Sequence, residues 1–236
     1  MKINHFLRRI LSTAEWASNT AKSFYVRLGN SGRIANYLST NEIKKLHLGA
    51  GGNILEGWCN TDIYPDMKKG VFLDVTKKFP FSDNTFDYVF TEHTMEHIEL
   101  RQGIRMLKEC LRVLKPGGQL RISMPNLGYL IELYNTTEKS EVQMREIKRI
   151  VDMVFSDIKI YQDTFVINNF FKNWGHKFIY DYKLLKELME RAGFKNVKEC
   201  QVGKSDDVNL QNLEAHGKFI GEEIAKLQTF VVEGTK

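Results

Sequence analysis

Short apolar runs that break into glycine or acid punctuate the first half of the chain. Lys44-Lys45-Leu46-His47-Leu48 runs into Gly49-Ala50-Gly51-Gly52-Asn53. Cys59-Asn60-Thr61 ends at Asp62, and Val71-Phe72-Leu73 ends at Asp74. Phe86 to Thr91 follows as a fourth run, interrupted by Asp87. Such runs, bounded by turn residues, are how the strands of a buried parallel sheet read. A helix is predicted from about Leu100 to Leu114, with Ile104, Leu107, Leu111 and Leu114 on one stripe and Lys115-Pro116-Gly117-Gly118 as its breakers. Leu120, Ile122 and Met124 then alternate with polar residues as a fifth strand, stopped at Pro125. Strand and helix alternate, which predicts an α/β fold with a doubly wound parallel sheet.

The flanks read differently. Phe6, Ile10, Ala14 and Ala17 give residues 5 to 27 a helical spacing, Gly29-Asn30-Ser31-Gly32 signals a turn, and residues 1–40 form an N-terminal helical extension. Residues 126–175 read as an inserted cap, with a helix around Val142 to Phe155. Its aromatic stretch of Tyr161, Phe165, Phe170, Phe171 and Trp174 serves either a substrate pocket or the cap's own core. Asp181 suits the N-cap of a helix running to Ala192, with Gly193 beyond it, and Phe194 to Val202 and Thr229 to Val232 complete the sheet. The main domain therefore comprises residues 41–125 and 176–236. Gly49 and Trp58 stand only nine positions apart, so the first crossover either shrinks to one turn or leaves the second strand irregularly paired.

Ligands of open α/β sheets bind outside the carboxyl ends of the strands. A glycine loop and two carboxylates, Asp62 and Asp74, would converge there on a nucleoside with a charged tail. A dinucleotide fingerprint is not present, because Ile54 stands where its third glycine belongs, and no Gly-Lys-Ser/Thr closes a phosphate loop.

Leu46-His47-Leu48-Gly49-Ala50-Gly51-Gly52, Phe79-Pro80-Phe81-Ser82-Asp83-Asn84-Thr85-Phe86-Asp87, Glu92-His93 and Arg112-Val113-Leu114-Lys115-Pro116-Gly117-Gly118 occur in order. Together they resemble the class I S-adenosylmethionine-dependent methyltransferases, in particular the type 11 group that includes members associated with polysaccharide synthesis. The resemblance implies a Rossmann-like sheet with an antiparallel final strand. It implies S-adenosylmethionine as the cofactor, leaving as S-adenosylhomocysteine, and contacts to it from His47, Gly49, Ala50, Gly51, Asp62, Ile63, Asp74, Val75, Glu92 and His93. His47 stands where family members carry an acid, and Asn53 where a third glycine is common.

Methyl transfer mainly demands alignment of donor and acceptor and exclusion of water, so no strong catalytic signature is expected. His93, His97 and His176 are the candidate catalytic residues, because an imidazole titrating near neutrality can deprotonate a hydroxyl; Glu214 and His216 are further polar candidates. The expected acceptor is a small molecule or saccharide, methylated at oxygen. Two rival readings remain. His93-Thr94-Met95-Glu96-His97 fits the inverted zinc-hydrolase motif H-x-x-E-H, although no metal is expected of a methyltransferase here, and a non-catalytic cofactor-binding partner subunit fits the departures at His47 and Asn53.

Composition narrows the setting. A net charge of +5, with Lys and Arg in pairs at most, describes solvated faces and not a nucleic-acid track. Cys59, Cys110 and Cys200 are odd in number and lack C-x-x-C spacing, which points to reduced thiols and a cytoplasmic protein. No apolar stretch is long enough for a membrane span.

Overall fold

The computed structural model describes residues 26–236. Residues 1–25, which hold most of the helix expected over positions 5 to 27, lie outside the described residues. Within them, Asn30–Thr40 is one helix (α1), running through the expected glycine turn. Ile34, Tyr37 and Leu38 pack it on the core, and the Asn30 amide exchanges two hydrogen bonds with the backbone of Phe72. Those contacts outweigh the weak helix propensity of the Asn-Ser-Gly start.

Strands β1 (Lys45–Leu48), β2 (Cys59–Asp62), β3 (Val71–Phe72), β4 (Phe86–Glu92), β5 (Leu114–Pro125), β6 (Lys195–Cys200) and β7 (Thr229–Thr235) form one sheet in the order β3-β2-β1-β4-β5-β7-β6. The first five pair in parallel, and β7 runs antiparallel to both β5 and β6. The sheet is thus the mixed, Rossmann-like one expected. The short crossover after β1 leaves β2 in regular register, with Leu46 opposite Cys59. Asn60 makes this work: its amide donates to the carbonyls of Leu55 and Trp58 and accepts from the Leu55 N–H, folding the loop into one turn. β5 starts at Leu114, earlier than expected, because Lys115-Pro116-Gly117-Gly118 continues as extended chain beside a register shift in β4.

Alternation along the strands divides the interior. Leu46, Leu48, Val89, Leu120 and Ile122 face the main core with helices α2 (Leu100–Val113) and, later in the chain, Tyr182–Ala192. His47, Phe90 and Arg121, at the intervening positions, are also fully buried. Helices α3 (Leu127–Asn135), α4 (Glu141–Val154) and α5 (Asp163–Lys172) follow β5 and build a separate cluster from Tyr129, Leu133, Ile147, Ile150, Val166 and Phe170. Helix α5 occupies the aromatic stretch that had no assigned structure. Tyr182–Ala192 (α6) begins at an Asp181 cap and ends at left-handed Gly193, and α7 (Gly217–Ile220) and α8 (Glu222–Gln228) lead into β7. No helix among the described residues is long and apolar enough to cross a membrane.

Candidate functional site

The carboxyl ends of β1 to β4 surround a cavity of about 430 Å³ lined by Gly49, Gly51, Asp62, Ile63, Asp74, Val75, His93 and His97, all named from the sequence, and by Leu73, Thr76, Thr94 and Ile98. Gly49 has φ +66°, and a Cβ there would sit 2.1 Å from Thr94 Oγ1, so the turn can approach Thr94 only as glycine. Gly51, at φ +49°, would place a Cβ in open space. Its N–H donates to Asp62 Oδ2 (2.9 Å), and the Tyr64 N–H donates to Oδ1 (2.7 Å), fixing the carboxylate at the end of β2. Asp74 Oδ1 accepts from both the N–H and the hydroxyl of Thr76. Ionised carboxylates accept only, and each oxygen has more than one lone pair, so both retain capacity for ligand hydroxyl or amino groups.

Three expected cofactor contacts sit elsewhere. His47 does not line the cavity. It is 1% exposed, packed 5.0 Å from the Phe90 ring, and its Nδ1–H donates to Asn60 Oδ1 (3.1 Å). Period-2 alternation turns it to the face opposite Leu46 and Leu48, and burial lowers its pKa to about 4. Ala50 is buried, its N–H donating to the Thr61 carbonyl. The Glu92 carboxylate accepts from the N–H groups of Ala215 (2.9 Å) and His216 (3.0 Å), so it pins the chain after β6 instead of facing the cavity; burial raises its pKa.

A second cavity, about 350 Å³, shares His93 and His97 with the first. Its other walls are His176 and His216, Arg149 and Met153 of α4, Phe170 of α5, Trp174, and Phe219 and Ile220 of α7. His216 stacks 4.0 Å from His93, and His176 lies 4.9 Å from His97, centroid to centroid. Arg149 is held by two hydrogen bonds to the buried Glu146 carboxylate. The more distant candidate Glu214 is not in either cavity; it pairs with buried Arg121 at 2.6 Å. A larger cleft of about 660 Å³, beside Cys200 and Lys204, shares no residue with these two.

At the shared wall, Glu96 is completely buried on the single 3-10 turn Met95–His97. Burial would raise its carboxyl, but the His93 hydrogen bond and the histidine charges outweigh it and hold the pKa below the ordinary value. His93 Nδ1–H donates to Glu96 Oε1 (3.1 Å), while its Nε2 is buried and without a hydrogen-bond partner. His93 itself is left-handed, at φ +46°, a conformation that re-aims the chain as it leaves β4. Glu96, His97 and His176 each offer one ligand atom within 4.8 Å of the others. Burial lowers the His176 pKa and, with the nearby His93 charge, takes that of His216 to about 4.

Residues 61–122 match a family model described as a methyltransferase domain. That stretch is similar to a methyltransferase domain. The match begins at β2 and ends within β5, so it holds Asp62, Asp74, His93, Glu96 and His97 but not the glycine turn or the helices over the second cavity. No curated protein matches the chain in sequence. A methyltransferase from Mesorhizobium loti that depends on S-adenosylmethionine aligns with a TM-score of 0.50 at 12% identity, over 83% of this chain and 92% of that one, a likeness of fold. One from Archaeoglobus fulgidus aligns at 0.49 and 20% identity, over 87% and 90% of the two chains. A possible histamine N-methyltransferase from Thermotoga maritima aligns at 0.47 and 18%, over 95% and 96%. The likeness to the Mesorhizobium loti structure is one of a Rossmann-like sheet. Thr94, Glu96 and the walls from α4 and α7 were not named as site residues from the sequence, whereas Phe170 of α5 was, as one of two readings of its aromatic stretch; the H-x-x-E-H spacing was the one signal that pointed to Glu96.

Proposed function

We propose that the protein transfers the methyl group of S-adenosylmethionine to a hydroxyl of a small-molecule or saccharide acceptor. The observation that carries this reading is the pair of adjoining cavities with His93 and His97 as their common wall. Gly49 and Gly51 offer bare backbone to the methionine end of the cofactor, Asp62 accepts from the ribose hydroxyls, and Asp74 with Val75 takes the adenine. When bound, the cofactor supplies an electrophilic methyl on sulfur. The acceptor lies in the aromatic cavity on the other side of His93. His93 Nε2 would take the proton of the acceptor hydroxyl, with Glu96 holding the ring by its Nδ1–H.

Calorimetric titration with S-adenosylhomocysteine tests the cofactor side. Asp62→Ala should weaken binding at least about tenfold, since hydrogen bonds to a charged group contribute about 1.5–3 kcal/mol; unchanged affinity rejects the role of Asp62. Transfer of labelled methyl to the saccharide and small-molecule fractions of a cell extract tests the acceptor side. His93→Gln should lower turnover about 100-fold or more, as for loss of a general base. Tight binding of S-adenosylhomocysteine with no label transferred to any fraction would instead indicate a cofactor-binding partner subunit.

A further inference from the structure

We propose that Glu96, His97 and His176 form a site for one divalent transition-metal ion at the floor of the second cavity. One ligand atom from each residue lies within 4.8 Å of the others, and His97 Nε2 stands 3.9 Å from Glu96 Oε1. Three further features point to an ion. Glu96 Oε2 is buried and has no hydrogen-bond partner, so half of a fully buried carboxylate beside His97 has its lone pairs unmet. His176 Nδ1 lies 2.7 Å from the carbonyl oxygen of Phe170, which can only accept, so that nitrogen carries the proton and Nε2 is left as the ligand. An outer hydrogen bond to a carbonyl is the usual way a ligating imidazole has its tautomer and orientation fixed. His97 and His176 both line the second cavity, which gives an ion an entry path and leaves coordination positions open to a ligand.

Two imidazoles and one carboxylate suit iron(II), manganese(II) or zinc, and disfavour calcium or magnesium, which prefer oxygen ligands. The set differs from the one the H-x-x-E-H spacing suggests, in which His93 and His97 would be the ligands. His93 Nδ1 instead lies 3.1 Å from Glu96 Oε1, so one carboxylate both orients His93 and stands beside His97 at the ion site. The proposal deepens the methyl-transfer reading of the same cavity, because an ion there would bind an acceptor oxygen beside His93 and fix its position. It favours acceptors that present two neighbouring oxygens, such as a vicinal diol or a hydroxy acid.

Tag-free protein, dialysed against a chelator and then against zinc or manganese(II), should retain one ion per chain by mass spectrometric metal analysis, with a rise in melting temperature. His176→Ala and Glu96→Gln should each weaken retention by about 100-fold or more, beyond the 10–100-fold that outer ligands cost. His93→Asn should retain the ion. Glu96 is fully buried and its variant could fail to fold; His176 is partly exposed, and circular dichroism of His176→Ala confirms a folded sample for the decisive comparison. Substoichiometric metal in the loaded wild type, or equal retention by His176→Ala, overturns the proposal. Loss of the ion in His93→Asn but not in His176→Ala would place it on the inverted motif and overturn the proposed ligand set. Calorimetry with S-adenosylhomocysteine on the same samples separates the two readings: cofactor binding without metal removes only the ion site, and metal without cofactor binding removes only the methyl-transfer reading.

Discussion

His47 sits as a neutral imidazole in a layer of Trp58 and Phe90, with a single hydrogen bond to Asn60. Its folded pKa, about 4, lies below the ordinary 6.5. Between those values the unfolded chain takes up a proton that the folded chain refuses. The stability from this residue is therefore fully present above pH 6.5 and is lost as pH falls toward 4, up to about 3 kcal/mol. His47→Gln, which keeps a donor for Asn60, should flatten the pH dependence of urea unfolding between pH 6.5 and 4. An unaltered slope would show that other groups carry it. This residue also shows where the sequence is silent: the cofactor role came from its place before the glycines, whereas strand alternation points its ring to the other face. Asp62 and Asp74 were legible: they line the first cavity, as their place at and just beyond the ends of β2 and β3 suggests. Glu92 was not, because its partners lie 123 and 124 positions away, in a loop no local pattern places.

Among the elements, the parallel strands and helices α2, α4 and α6 could be read from periodicity and capping, since their signals are local. Asp181, for example, accepts from the Leu184 N–H as an N-cap should. Helix α5 could not be read, because its aromatic residues are shared between two duties. Val166 and Phe170 are buried among the α3–α5 cluster, and Phe170 also walls the second cavity, while Phe171 is exposed. The two readings of that stretch, pocket and core, both apply to Phe170. Leu133, fully buried in that cluster, should cost about 2–5 kcal/mol when changed to Ala. Denaturant unfolding would measure the loss, and affinity for S-adenosylhomocysteine should be unaffected because no residue of this cluster lines the first cavity. A parallel loss of affinity would mean the helices and the strand ends are coupled.

Across the whole molecule, Arg121 ties distant parts together. From β5 it pairs with Glu214 in the loop after β6 and with Glu233 on β7, both at 2.6 Å, and donates to the Lys204 carbonyl. All three charged groups are almost wholly buried, so removing the cation strands two carboxylates in the interior. Arg121→Met should destabilise the fold by about 3–5 kcal/mol, read by thermal or urea unfolding. Replacing all three with apolar residues should recover much of that loss, and no recovery would indicate that packing, not charge, dominates. Periodicity shows Arg121 only as a polar position between Leu120 and Ile122; its burial follows from the loop that folds over that face.

Helices α3 to α5 have an interior of their own, separate from the one beneath the sheet. A chimera that exchanges residues 127–172 for the matching segment of another chain on the same sheet need not rebuild the strands. Arg149, Met153 and Phe170 of the second cavity would change with the graft, while every wall of the first cavity would stay with the recipient.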